Sequence, residues 1–268
     1  DELLKSARLY TIDRVTGKHG FNLAAVMLLG KDEVIMDIVP AYVTDALLRR
    51  INMDRYDDRE IVQTNLIESY ELLMEFARKH LPDKFFMEGD QRKSLRNIIT
   101  REMIANTLIH REYTSPYQAK FVIEKDRMYV ENANRASQDA VITPDNMEPF
   151  PKNPIIAAFF RNIGYADQLG SGVRNLFKYS KYYSGKDPEF IEGDIFRIIV
   201  PLDDDYSFDF GQAKPEHDAG SPGYADIEGK SGESTGKVRE KYGKSTGKVR
   251  EKLNASQKKI IGYVEKNG

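Results

Sequence analysis

The chain has 268 residues, 40% hydrophobic and 31% charged, with a formal net charge of -2. That composition supports one large globular domain or two modest ones and gives no bulk attraction to nucleic acid, so any such attraction must be local. The absence of cysteine excludes disulfides and thiolate metal sites and suits a reducing, cytoplasmic setting. The four histidines (His19, His80, His110, His217) show no ligand-type spacing. No apolar run reaches the roughly 18 to 20 residues that span a bilayer, so no membrane partner is expected. The start, Asp1 to Lys5, lacks the basic and apolar regions of a signal peptide, and both ends read as cuts within a longer protein.

In chain order, residues 1 to 60 read as the end of an α/β unit. Leu3 to Leu9 is helix-like, Phe21 to Leu29 is a short apolar run, and the β-branched Val34 to Val39 reads as a strand. Ile61, Leu66, Ile67, Tyr70, Leu73, Phe76 and Ala77 recur near a 3.6-residue period and predict a helix over residues 60 to 80, closed before Pro82. Leu95, Ile98, Ile99, Met103, Thr107 and Leu108 mark the buried stripe of a helix over 92 to 113. Residues 117 to 124 and 127 to 131 predict a hairpin turning at Lys125-Asp126. Asn153-Pro154 predicts a capped helix start, and a further helix runs from Val173 to about Tyr182. Phe190-Ile191 and Ile195 to Val200 read as closing strands, and Asp203 to Asp205 end the compact region.

From Gly211 the composition turns to Gly, Pro, Ser, Lys and Glu, which predicts a disordered linker. It holds a repeat: residues 234 to 241, Ser-Thr-Gly-Lys-Val-Arg-Glu-Lys, recur at 245 to 252. Neither copy is a phosphate loop. Three residues rather than four separate Gly232 from Gly236, Val follows the lysine, and no strand precedes. The basic repeat reads either as a phosphate-contacting linker or as a solvated spacer. Residues 254 to 268 regain helical periodicity and suit the first helix of a winged helix-turn-helix.

Glu102, Asn106 and His110 are spaced four apart, which stacks them on one helix face. A neutral amide oxygen suits Mg²⁺ held largely by phosphates, and a nearby glutamate can activate water. A solvated helix face is the alternative. Gly170-Ser171-Gly172 precedes a helix with Arg174 in its first turn, an arrangement that can present backbone N–H groups to phosphate. A plain turn is the alternative there.

Glu102-x-x-x-Asn106-Thr-Leu-Ile-His110-Arg-Glu-Tyr113 resembles the N-box of GHKL ATPases in the variant of the RecG-like C-terminal regulators. The resemblance continues through Asn153-Pro154, the apolar helix after it, Gly164, Asp167 and Gly170-Ser171-Gly172-x-Arg174, covering about residues 92 to 202. It implies an α/β (α+β) two-layer sandwich, helices on a mixed sheet, over residues 61 to 205. An AlbA- or Schlafen-like remnant would precede it (1 to 60), with the linker (206 to 253) and a truncated winged helix (254 to 268) after it. It further implies Asn106 holding Mg²⁺ on ATP and Glu102 at the general-base position. Gly170, Ser171, Gly172, Arg174 and His110 would lie at the nucleotide, and Glu131-Asn132 at the adenine-contacting position.

Two departures stand out. The family's Glu-Asn-Pro-Gly is Glu131-Asn-Ala-Asn134 here, and its usual glutamate is Asp167. The function implied is a transcriptional regulator that binds nucleotide and, through flanking regions, DNA. A GHKL-type ATPase and a non-nucleotide interaction or homodimerisation module are the alternatives. The family's helicase label requires a motor, and neither a Walker A loop nor helicase motor motifs occur in the chain.

Overall fold

The computed structural model describes residues 2–51, 54–134, 140–141, 151–167 and 171–203. The predicted linker, its repeat and the winged-helix start lie outside them, as does Gly170.

The N-terminal elements are α1 (Glu2–Ser6), β1 (Tyr10–Ile12), β2 (His19–Phe21), α2 (Leu23–Leu29) and α3 (Asp32–Ile38). The stretch predicted as a strand, Val34 to Val39, is therefore helical. Asp32 and Glu33 lie in the first turn of α3, where carboxylates complement the helix dipole. Ile35 and Val39, one turn apart, are the residues it buries. Tertiary burial at helical spacing overrides the β-branched preference.

The central body follows with β3 (Thr44–Arg49), β4 (Asp58–Val62), α4 (Leu66–His80), β5 (Met87–Glu88), β6 (Gln91–Arg92) and α5 (Leu95–Ile109). It is completed by β7 (Ala119–Glu124), β8 (Arg127–Ala133), β9 (Ala140–Val141), α6 (Pro154–Asn162), α7 (Ser171–Ser184), β10 (Glu189–Glu192) and β11 (Ile195–Pro201). The helix expected from residue 60 starts later. Asn65 caps α4 by accepting from the Glu68 amide, and Ile61 belongs to β4.

Among the described residues one sheet runs β4-β3-β7-β8-β11-β10-β9. It is mixed, because β3 and β7 are parallel while the other neighbours are antiparallel. The strands β3 and β4, expected within the N-terminal remnant, extend the same sheet, so a boundary at residue 60 would cut through β4. The parallel pair requires a long crossover, and β4, α4 and α5 supply it. Phe121, Ile123, Met128, Val130, Ile198 and Val200 join the helices in one core. Strand alternation sends Lys120, Tyr129, Glu131 and Arg197 to the other face of the sheet. The predicted hairpin is present, with Lys120 opposite Glu131 and Ile123 opposite Met128.

Two details place the site. At the end of α6, Gly164 has φ 79°, the left-handed conformation that glycine takes readily after a helix. Pro154 occupies the first turn of α6 as predicted, but Asn153 does not cap it through its side chain. Its Nδ2 instead donates to the carbonyls of Ile109 (2.9 Å) and Arg111 (2.8 Å), tying α6 to the unsatisfied end of α5.

A candidate nucleotide site along α5

Ser94 caps α5 by accepting from the Asn97 amide, and Leu95, Ile99, Met103 and Leu108 bury the helix in the core. The remaining face carries Glu102, Asn106 and, at the C-cap, His110. Eight residues at 1.5 Å each separate the ends of that face by about 12 Å.

Glu102 is 3% exposed. Burial pushes its carboxyl up to about 7; the Arg101 guanidinium opposes this and the Asp167 carboxylate adds to it. Arg101 Nη2 bridges Glu102 Oε1 (3.2 Å) and Asp167 Oδ2 (2.8 Å). Asp167 Oδ2 also accepts from Asn175 Nδ2 on α7 (3.1 Å). These contacts fasten the segment before α7, and α7 itself, to α5. Asn106 donates its Nδ2 to the Glu102 carbonyl (2.7 Å), and no described residue donates to its Oδ1. That oxygen is therefore presented as an acceptor or metal ligand.

Gly172 sits directly on this pair. A Cβ there would stand 2.4 Å from Glu102 Oε2 and 3.7 Å from Asn106 Nδ2. Because Glu102 is buried and held by Arg101, its carboxylate has little freedom to retreat. Gly172→Ala should therefore cost about 1–3 kcal/mol, as overpacking does. Chemical denaturation of the two proteins checks this, and equal midpoints would mean that the approach is not tight. The glycine lets the N-terminus of the 14-residue α7 lie against Glu102 and Asn106.

The other end of the face has a different character. Burial holds His110 down at about 4, helped by Lys152 and opposed by Glu192, so the ring is neutral at physiological pH. It stacks near Phe196 of β11, with centroids 6.4 Å apart. Asn132, fully buried, donates Nδ2 to the carbonyls of Ala133 (2.9 Å) and His110 (3.4 Å).

The structure thus brings Glu102, Asn106 and Gly172 together, and sets His110 beside Asn132. It does not bring Glu131 to either group, which corrects its expected place at the base. Glu131 lies on the opposite face of the sheet, where Tyr117 (2.7 Å), Lys120 (2.8 Å) and Arg197 (2.8 Å) bond its carboxylate. Burial alone would raise its pKa, but those three bonds outweigh it and hold the group down at about 2. Adjacent strand residues point to opposite faces, so Glu131 and Asn132 cannot share a site. Ser171 opens α7, and Arg174 is exposed on it.

Sequence reasoning missed Arg101 and Asn175. It noted Asp167 only as a shortened family glutamate, and that shortening was the one available signal. Among the described residues no group of three or more His, Asp or Glu side chains could hold a metal, and no helix is long and apolar enough to cross a membrane.

Comparison with known proteins bears on this arrangement. Residues 120–200 match the family model described as "Putative ATP-dependent DNA helicase recG C-terminal". This stretch is RecG-like. It runs from β7 to β11 and includes Asn132, Gly172 and both ends of the α6–α7 unit, while α5 lies before it. No curated protein matches the chain. Among solved structures, the DIP2311 protein of Corynebacterium diphtheriae is similar in fold, with a TM-score of 0.56 at 16% identity. The similarity covers 75% of this chain and 40% of that one, so the chain spans less than half of that structure's length.

Proposed function

We propose that the α5–α7 face binds a nucleoside triphosphate with Mg²⁺, as the sensing module of a transcriptional regulator whose flanking regions bind DNA. The observation that supports this most is the close approach at Gly172, where the lack of a side chain lets the N-terminus of α7 lie directly against Glu102 and Asn106. Helix N-termini approached through glycine favour anions, and Asn106, beside this one, receives no donor at its Oδ1 from the described residues. The residues fit the group: Asn106 would hold Mg²⁺, which supplies charge neutralisation on the phosphates. Mg²⁺ is normally bound by few protein oxygens plus phosphates, so a dedicated acidic cluster is not required. The roughly 12 Å along α5 separates a phosphate end from a base end at His110 and Asn132. The RecG-like match of residues 120–200 agrees with a nucleotide and links the chain to DNA-associated proteins.

Calorimetric titration of Mg-ATP into the protein and into Asn106→Ala tests the site. The substitution should weaken binding at least about tenfold, which is 1.4 kcal/mol. Equal heats in the two proteins would remove the nucleotide site. A full-length protein that shifted no DNA at low salt would remove the regulator role, because the electrostatic contribution is largest there.

One observation favours a second reading, a slow ATPase. The Glu102 carboxyl, raised to about 7, has the affinity wanted of a general base near neutral pH. Phosphate release that is measurable in the wild type and lost in Glu102→Gln would select hydrolysis over sensing.

A further inference from the structure

The sheet has a second face, turned away from the helices. Strand alternation places one cation there on each of five consecutive strands: Arg59 on β4, Arg49 on β3, Lys120 on β7, Arg127 on β8 and Arg197 on β11. Between them run Leu47, Val122, Tyr129 and Ile199, opposite one another in register. Leu47 and Val122 are buried, yet they lie outside the helix-packed core. The apolar stems of the long charged side chains cover them instead. The helices α4 and α5 pack on the other face, and α2 packs on α4 and α6.

Charge on this face is layered. Arg59 pairs with Asp45, Arg127 with Glu124, and Lys120 and Arg197 with Glu131; the cation side chains are 37–48% exposed and the carboxylates 4–14%. The anions lie at the bottom and the cations on top. Glu189, exposed on β10, ends the track on that side. Arg127 and Arg197 meet their carboxylates through Nε, at 2.6 and 2.8 Å, and no described residue takes their terminal Nη groups. A guanidinium is a rigid fork of donors, so fixing Nε also aims the Nη groups. Arg49 has no carboxylate partner among the described residues, and its Nε is buried without an acceptor. Such a donor calls for one. Tyrosine rings accompany three of the cations: Tyr56 at Arg59, Tyr117 at Lys120 and Tyr129 at Arg127, with 5.5–5.7 Å to the ring centroids.

We propose that this outer face binds single-stranded nucleic acid, with phosphates on the cations and bases on the tyrosine rings and the apolar strip. Charge complementarity selects a polyanion, and a second copy of the same face would set cation against cation. The rings select an open strand, whose bases are free to stack on them, over a duplex, whose bases are not. Width agrees. Five strands at about 4.8 Å spacing span about 19 Å, too broad for the major groove of about 12 Å that a two-stranded ribbon enters. The surface lies across the sheet from Glu102 and Asn106, so it stands or falls apart from the nucleotide reading. It also places a nucleic-acid contact within the described body rather than in the flanking regions.

Fluorescence anisotropy of labelled oligothymidylate, without added nucleotide and over roughly 50 to 200 mM salt, tests this on the full chain. The double variant Arg127→Gln/Arg197→Gln should bind the strand at least about tenfold more weakly, and the slope of log affinity against log salt should shrink by about 1.4, two single-strand phosphate contacts. That variant leaves two carboxylates unpaired, so a thermal melt must show that it folds. Ile61 offers a second route, because it is 48% exposed on the same face and makes no ion pair. Ile61→Lys should tighten binding and Ile61→Glu should weaken it, a pair of opposite changes that unfolding cannot mimic. A wild type that ignores the strand at low salt, or binds a duplex of the same length as tightly, would overturn the proposal. So would Ile61 variants that match the wild type or a folded double variant with an unchanged slope, since the contacts would then belong to the basic repeat of residues 234 to 252.

Discussion

Replacing Arg111 with alanine should destabilise the fold by about 3 kcal/mol or more, the largest loss expected from one side chain here. Arg111 is 2% exposed, and among the described residues no carboxylate pairs with it. Its guanidinium donates to the Val43 carbonyl (2.9 Å) and Thr44 Oγ1 (3.2 Å), at the start of β3. The rings of Tyr42 and Tyr113 flank it at 4.9 and 5.7 Å from their centroids. Burial lowers its pKa, so the charge is held at a cost by ring faces and two oxygens. A desolvated cation–π contact contributes about 2 kcal/mol, and a hydrogen bond from a charged donor about 1.5–3. Alanine removes all of these and leaves a cavity, while the Val43 carbonyl keeps the Ala119 N–H (3.1 Å). Methionine fills most of the volume and buries no charge, so Arg111→Met should lose less. Urea denaturation of both variants measures the difference. An alanine variant as stable as the wild type would mean that the cation contributes nothing net.

Arg111 also shows what the sequence could and could not disclose. In the Asn106 to Tyr113 motif it stands between residues read for chemistry, yet it ties the end of α5 to β3. Tyr113 serves the same join, donating to the Leu108 carbonyl at 2.6 Å. A motif records that residues are needed together, not which of them face a ligand. Elements with one strong period were legible: α5, the β7–β8 hairpin, α6 with Pro154, and the closing strands. Val34 to Val39 was not, because six residues rich in β-branched types fit a strand or a short helix until burial decides. Glu131 was misplaced because the face of a strand residue depends on its register with neighbouring strands, which the local pattern does not contain. Arg101 escaped notice because its role comes from Asp167, 66 positions away and adjacent only after α6 has folded back.

Replacing Glu102 with glutamine should stabilise the protein above neutral pH. The carboxyl is raised from its ordinary 4.5 to about 7, chiefly by burial. The folded state therefore holds this proton more tightly than the unfolded state does. Stability from the protonated group is fully present below the unfolded value of 4.5 and is lost as pH rises through about 7. At 1.36 kcal/mol per pH unit, that window holds roughly 3 kcal/mol. The groups facing the carboxyl are Arg101, which favours the charged form, and Asp167, which resists it; Tyr70, nearby, is neutral throughout this range. Glutamine stays neutral throughout and can accept from Arg101 with its own oxygen. Urea denaturation at pH 5 and pH 8 should show the wild type losing stability between them and Glu102→Gln losing much less. Parallel pH profiles would place the Glu102 carboxyl at an ordinary pKa. A glutamate that weakens its own fold at working pH, where the neutral amide would fit, is paid for by what the charge does. On the nucleotide reading proposed above, that charge would meet the metal or water beside the phosphates. The substitution that strengthens the fold should for the same reason impair the site.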